Sequence, residues 1–220
     1  MRRIEECQLY TFVDFAYLKG RTPSELCRAL CEGGSDIIQL RAKQADRATV
    51  KATAEELLPI TRTFGVPLVI NDYWDCAEEL GSEFCHLGQE DFFDRNLSHH
   101  RDLAGGSRHA PGLGLSTHSP EQAARALKAD PSYIAIGPVY ATGTKPTARP
   151  VTLEYVRWAA SNVSIPWFAI GGINLGTLDE VLEAGASRVC VVSAILNERD
   201  IVKACQQFKE RLPSIPLIRK

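Results

Sequence analysis

No apolar run in this chain approaches the roughly 20 residues that cross a bilayer. Its start, MRRIEECQLY, also lacks the apolar stretch of a secretory signal. A membrane partner is therefore not expected. An excess of basic charge is missing too: 25 lysines and arginines stand against 27 acids, a net charge of −2. No nucleic-acid surface is expected from that balance, and anion binding, if present, has to be local. The 7 cysteines are odd in number and contain no Cys-x-x-Cys pair, which argues against a disulfide frame or a zinc site. An odd set of buried or half-buried free thiols suits a reducing compartment, so a cytoplasmic protein is expected. His99, His100 and His109 fall in an irregular stretch without zinc-ligand spacing, while His86 at a strand end can offer a hydrogen bond. Neither a Ser/His/Asp nor a Cys/His nucleophile motif occurs. No Gly-x-Gly-x-x-Gly turn follows the first apolar segment, which weakens an open dinucleotide-binding sheet. Linkers, low-complexity tracts and charge blocks are absent as well, so one domain over residues 1–220 is expected.

What the chain does contain is a regular alternation. Short apolar segments, too short for helices and rich in β-branched or aromatic residues, occur at 9–13, 37–40, 68–71, 84–87, 113–116, 133–137, 167–171 and 188–192. Helical segments lie between them. TPSELCRALCEGG has a threonine cap, a proline in the first helical position and a glycine stop. SPEQAARALKAD repeats the pattern with a glutamate in the first turn. LEYVRWAAS, LDEVLEAG and ERDIVKACQQFKERL follow, and the amphipathic stretch 46–65 is expected to be interrupted at Pro59. Residues 92–111 are the least regular and are expected to hold only a short helix. Eight strands alternating with helices indicate a parallel sheet, and that number fits closure into a single (β/α)8 TIM barrel of the α/β class.

In such a barrel the chemistry sits at the carboxyl ends of the strands. The second segment runs into Gln39, Arg41 and Lys43, the third ends in Asn71-Asp72, and the fourth leads to Asp91. The fifth ends at Ser116, the sixth opens into Thr142, Thr144 and Lys145, the seventh ends in Gly171-Gly172, and the eighth in Ser193. Each has an ordinary use alone: surface charge, a turn, a helix cap. Together they form a consistent inventory. Two carboxylates on adjacent strands can hold a hard cation such as Mg²⁺, which needs few protein ligands when phosphate oxygens supply the rest. Arg41, Lys43 and Lys145 can neutralise a diphosphate, and backbone amides near Gly172 and Val192-Ser193 can take a second phosphate.

The motifs IQLRAK, INDYWDCA, HLGQED, GLSTHS, IGPVYATGTKPTA, AIGGIN and VVSAI, in that order over about Leu9 to Leu196, resemble the thiamine-phosphate synthase family. The resemblance implies a Mg²⁺-dependent transferase. It would join 4-amino-2-methyl-5-hydroxymethylpyrimidine diphosphate to a thiazole phosphate, releasing diphosphate. It implies that Asp72 and Asp91 bind the metal. Gln39, Leu40, Arg41, Ala42, Lys43, Asn71, Ser116 and Lys145 would hold the pyrimidine diphosphate, with Arg41, Lys43 and Lys145 acting on the leaving group. Thr142, Gly143 and Thr144 would line the thiazole side, with Gly172, Val192 and Ser193 at its phosphate. Tyr140-Ala141 replaces a Phe-Pro often seen in the opening loop, and FCHL replaces GVHL. Neither change removes a chemical group. Two other readings are a thiazole tautomerase of a related barrel, which would not need the paired aspartates, and a non-catalytic phosphate-ligand sensor, which would need an output surface. Partners are expected to be small molecules, and a homo-oligomer is left open.

Overall fold

In the computed structural model, which describes residues 1–103, 110–142 and 149–214, the apolar segments become eight parallel strands closed in sequence order. They are β1 (Leu9–Asp14), β2 (Ile37–Arg41), β3 (Leu68–Asn71), β4 (Phe84–Leu87), β5 (Gly112–Thr117), β6 (Tyr133–Ile136), β7 (Trp167–Ile170) and β8 (Val189–Cys190). The closing seam pairs Leu9 with Val189 and Tyr10 with Cys190. Continuous apolar runs are what such strands require, because one face looks into the barrel and the other is covered by helices. Every residue of β1, β3 and β6 is accordingly buried. The expected (β/α)8 barrel is the fold. The last strand is shorter than its apolar run, since Val192 already turns the chain (φ −111°, ψ −89°).

The helices are α1 (Pro23–Glu32), α2 (Arg47–Thr63), α3 (Trp74–Leu80), α4 (Gln89–Phe93), α5 (Pro120–Lys128), α6 (Thr152–Asn162), α7 (Leu178–Glu183), α8 (Ser193–Leu196) and α9 (Ile201–Arg211). Their starts are chemically marked. Thr22 and Glu25 form a reciprocal capping box at α1, and Asp46, Ser119 and Asp200 accept backbone N–H bonds at α2, α5 and α9.

Two expectations change. Pro59 does not interrupt α2, which runs on to Thr63. The carbonyl that loses its partner belongs to Glu55, and both Glu55 and Pro59 face solvent, while Leu57, Leu58 and Thr61 stay buried. Within 92–111, the short helix α4 begins earlier, at Gln89, and is followed, among the described residues, by a 3₁₀ turn over His100–Asp102. No helix among the described residues is long and apolar enough to cross a membrane.

Inside the barrel, aromatic rings fill the floor. Tyr10 stacks on Phe12 (centroids 5.2 Å apart) and meets Phe168 edge-on at 5.3 Å, and Tyr133 meets the same Phe168 at 5.6 Å. This layer closes the lower end and leaves the carboxyl ends of the strands open.

Candidate active site

One cavity occupies that open end. Its empty space is about 1080 Å³, a figure that includes the part open to solvent. Gln39, Arg41, Lys43, Asn71, Asp72, Asp91, Ser116, Thr142, Gly172, Val192 and Ser193 all line it. The alternation of a strand explains the choice on β2: Gln39 and Arg41 face inward, and Lys43 follows in the same phase. Leu40 and Ala42 lie in the opposite phase. Both are buried and neither lines the cavity, so any part they play in binding would fall to backbone groups. Gly143, Thr144 and Lys145 lie outside the described residues, as does His109.

The charged groups sit on the β1–β4 side. Arg41 donates to Asp14 at 2.7 Å, and this carboxylate is only 2% exposed. Asp14 also accepts the Ala16 N–H at 3.0 Å, so the acid is fixed before it meets the guanidinium. Lys43 donates to Asp72 at 2.6 Å. Asp72 has φ +70°, an αL backbone that aspartate tolerates better than most residues, and its N–H is held by the His86 carbonyl at 2.9 Å. Asp91 belongs to α4 and folds back over Gly88, where an added Cβ would lie 2.7 Å from its carboxylate. Gly88 thus supplies the room that this side chain uses. Asp72 and Asp91 both line the cavity, and Asp91 has no ion-pair partner among the described residues. Hard, anionic oxygen donors beside an open cavity fit a divalent cation of the Mg²⁺ kind.

Across the floor runs a row of hydrogen bonds that apolar patterning does not reveal. Gln39 Nε2 donates to Tyr10 Oη at 2.7 Å, and Tyr10 Oη lies 2.9 Å from Tyr133 Oη. Tyr133 Oη is 3.1 Å from His86 Nδ1, and His86 Nε2 is 2.9 Å from Ser116 Oγ. Burial pushes both phenols well above their usual range, so both keep their protons. Cys190 also reaches the cavity wall, but burial drives its thiol upward and leaves it a poor nucleophile. All seven cysteines are buried and free.

On the β6–β8 side, the chain after β6 lies against the end of β7. Val139 N–H donates to Ile170 O at 2.8 Å and Tyr140 N–H to Gly171 O at 3.0 Å. A Cβ on Gly172, whose φ is +68°, would stand 2.7 Å from both Ala141 O and Tyr140 Cβ. The glycine is therefore required by the approach of the protein's own backbone. The Val192-Ser193 turn opens α8 beside it. His118 also lines this wall, with its Nδ1 hydrogen-bonded to the Gly137 carbonyl.

Sequence reasoning missed Asp14, Tyr10 and Tyr133. Asp14 ends an apolar strand next to Phe15, and the two tyrosines read as core, so nothing local distinguishes them. His99 and His100 do converge on Asp130, at 3.8 and 3.6 Å. These distances are longer than hydrogen bonds. The group sits at the opposite end of the barrel, where His100 N–H donates to Ala129 O ahead of β6.

A (β/α)8 barrel whose open end gathers Arg41, Lys43, Asp72 and Asp91 beside the glycine turn after β7 has the chemistry of barrels that handle phosphorylated small molecules. Comparison with known proteins narrows this. A family model described as thiamine monophosphate synthase matches residues 9–195. A thiamine-phosphate synthase of Thermus thermophilus is 46% identical over 186 residues, covering 84% of this chain and 86% of the relative. That of Halalkalibacterium halodurans is 34% identical over 206 residues, 93% of this chain and 95% of the relative. Among solved structures, thiamine phosphate pyrophosphorylase from Pyrococcus furiosus superimposes with a TM-score of 0.82 at 28% identity, covering 94% of this chain and 96% of that one. The chain belongs to the thiamine monophosphate synthase family, and it is a transferase.

Proposed function

We propose that this protein joins an aminopyrimidine methyl diphosphate to a thiazole phosphate, giving thiamine phosphate and diphosphate. The observation that carries the reading is that one cavity is lined by Arg41, Lys43, Asp72 and Asp91 and also by the glycine turn after β7 and the Val192-Ser193 turn after β8. One phosphorylated ligand is assigned to each set of residues.

In this reading Arg41, Lys43 and Lys145 bind the diphosphate, with Asn71 as a neutral donor, and charge growing on the leaving group is met by their positive charge. Arg41 is preorganised by its bond to Asp14, so little reorganisation accompanies bond breaking. Asp72 and Asp91 would hold Mg²⁺, which when bound supplies Lewis-acid charge to the diphosphate oxygens. Loss of diphosphate from a carbon attached to an electron-rich aminopyrimidine leaves a delocalised cation. The thiazole nitrogen, oriented by Thr142, Gly143 and Thr144 with its phosphate at Gly172, Val192 and Ser193, captures that cation. No side chain serves as a covalent nucleophile, in keeping with the raised Cys190 thiol. We further propose that residues 1–220 act as one domain, in the cytoplasm.

The test is direct. Purified protein, Mg²⁺ and both substrates are mixed and thiamine phosphate is measured. Formation of thiamine phosphate is the expected result; conversion of the thiazole phosphate alone, with no coupled product, sinks the proposal.

A further inference from the structure

The row of hydrogen bonds beneath the cavity has a direction. The Gln39 amide is oriented with Nε2 toward Tyr10 Oη, and in that orientation Tyr10 accepts, so its own proton goes to Tyr133, the other partner it has among the described residues. Tyr133 then spends its single proton on His86 Nδ1. An imidazole that accepts at Nδ1 is protonated at Nε2, and that N–H donates to Ser116 Oγ. A reversed middle would make Tyr10 accept twice and leave its proton, at 1% exposure, without an acceptor. Two ends therefore face the cavity with opposite character: the Gln39 amide oxygen as an acceptor and the Ser116 hydroxyl as a donor.

We infer that this chain sets the hydrogen-bonding pattern that the cavity presents to its ring substrate, and that Tyr133 is the positioning residue at its centre. An aminopyrimidine edge carries an amine N–H donor next to a ring-nitrogen acceptor, the complement of one acceptor end and one donor end. Tyr133 does not line the cavity, so it acts only through His86 and Tyr10. The fold makes room for it: a Cβ on Gly114 would collide with the Tyr133 ring and hydroxyl. The His86 ring is held further by lying 5.7 Å from the Tyr133 ring at an interplanar angle of 26°. This inference rests on the coupling reaction proposed above, and names the residues that recognise one of its substrates.

Steady-state kinetics of the wild type, Tyr133→Phe, Ser116→Ala and the double variant test it. Tyr133→Phe removes one oxygen and keeps the ring. It is expected to lower kcat/KM for the pyrimidine diphosphate about tenfold, with the KM for thiazole phosphate within about twofold of wild type. In the Ser116→Ala background the same change should cost less than about threefold, because the chain has already lost its end. Full multiplication of the two effects, an equal effect on both substrates, or no effect overturns the inference. A measurement independent of variant folding is the ¹⁵N spectrum of histidine-labelled wild type. A His86 ring protonated at Nε2 and bare at Nδ1 is expected, and a proton at Nδ1 overturns the direction. Wild type that forms no thiamine phosphate would sink the coupling reaction instead, while the tautomer result would still report on the chain.

Discussion

Asp14 and Arg41 stand opposite each other on β1 and β2, and the guanidinium donates to the carboxylate at 2.7 Å. The acid has no exposure to spare, whereas Arg41 keeps 17% of its side chain on the cavity side. Asp14 therefore fixes one end of the guanidinium and leaves the rest for a ligand. Asp14→Asn should keep the Ala16 cap but turn an amide N–H toward another donor. The expected result is a rise of about tenfold or more in the KM for the pyrimidine diphosphate. Stability should fall by roughly 2–4 kcal/mol, within the range for breaking a buried pair. Urea unfolding and initial rates check both, and a stable variant with unchanged KM would remove Asp14 from the site.

Asp72 and Asp91 make a different case, because neither supports the core. Asp72→Asn or Asp91→Asn should leave the melting temperature within a few degrees and cut coupling by at least about a hundredfold. Removing divalent metal from the wild type should do the same, with Mg²⁺ restoring the rate. Wild-type turnover that survives thorough metal removal counts against both carboxylates as ligands.

Most of the barrel was legible in the sequence, for a physical reason. Strands covered on both faces must be apolar throughout, and their polar residues can appear only where the chain leaves the sheet, so LVIN followed by Asp72 shows a strand and its functional end together. Contacts made by closure were not legible. The Asp14–Arg41 pair depends on the register of β1 with β2, 27 residues apart. The Tyr10–Tyr133 bond joins residues 123 apart across the barrel interior. An aromatic residue in an apolar run reads as core, and here it is core with a hydroxyl that matters. Pro59 misled in the other direction, since its usual penalty is softened where the lost acceptor faces water.

The cysteines give a prediction about reactivity. Burial pushes Cys7 and Cys205 up to about 12 and Cys85 and Cys190 well up too, so these four hold little thiolate at neutral pH, whereas the hydrogen bond from Cys27 holds the Cys31 thiol below its usual range. A disulfide reagent such as Ellman's should label none of these four thiols quickly in the native protein and all 7 after denaturation. Activity should be indifferent to mild oxidants. Rapid labelling of a native thiol with loss of coupling would bring a cysteine into the mechanism.

Gly172 separates backbone strain from backbone collision. Alanine there meets a left-handed φ of +68° and also the Ala141 carbonyl and Tyr140 Cβ at 2.7 Å. Alanine at Gly81, the C-cap of α3, meets a similar φ of +62° with nothing nearer than an arginine nitrogen at 3.9 Å. Gly81→Ala should thus cost about 1–2 kcal/mol of stability and leave kinetics unchanged. Gly172→Ala should push the 140–142 segment off the end of β7 and move Thr142 along the cavity wall. Both the KM for thiazole phosphate and kcat should then suffer, because that segment leads directly to Thr144 and Lys145. A thiazole effect without any loss of kcat would mean that the glycine serves the phosphate alone. Kinetics matching Gly81→Ala would mean that the close approach at Gly172 has no part in shaping the site.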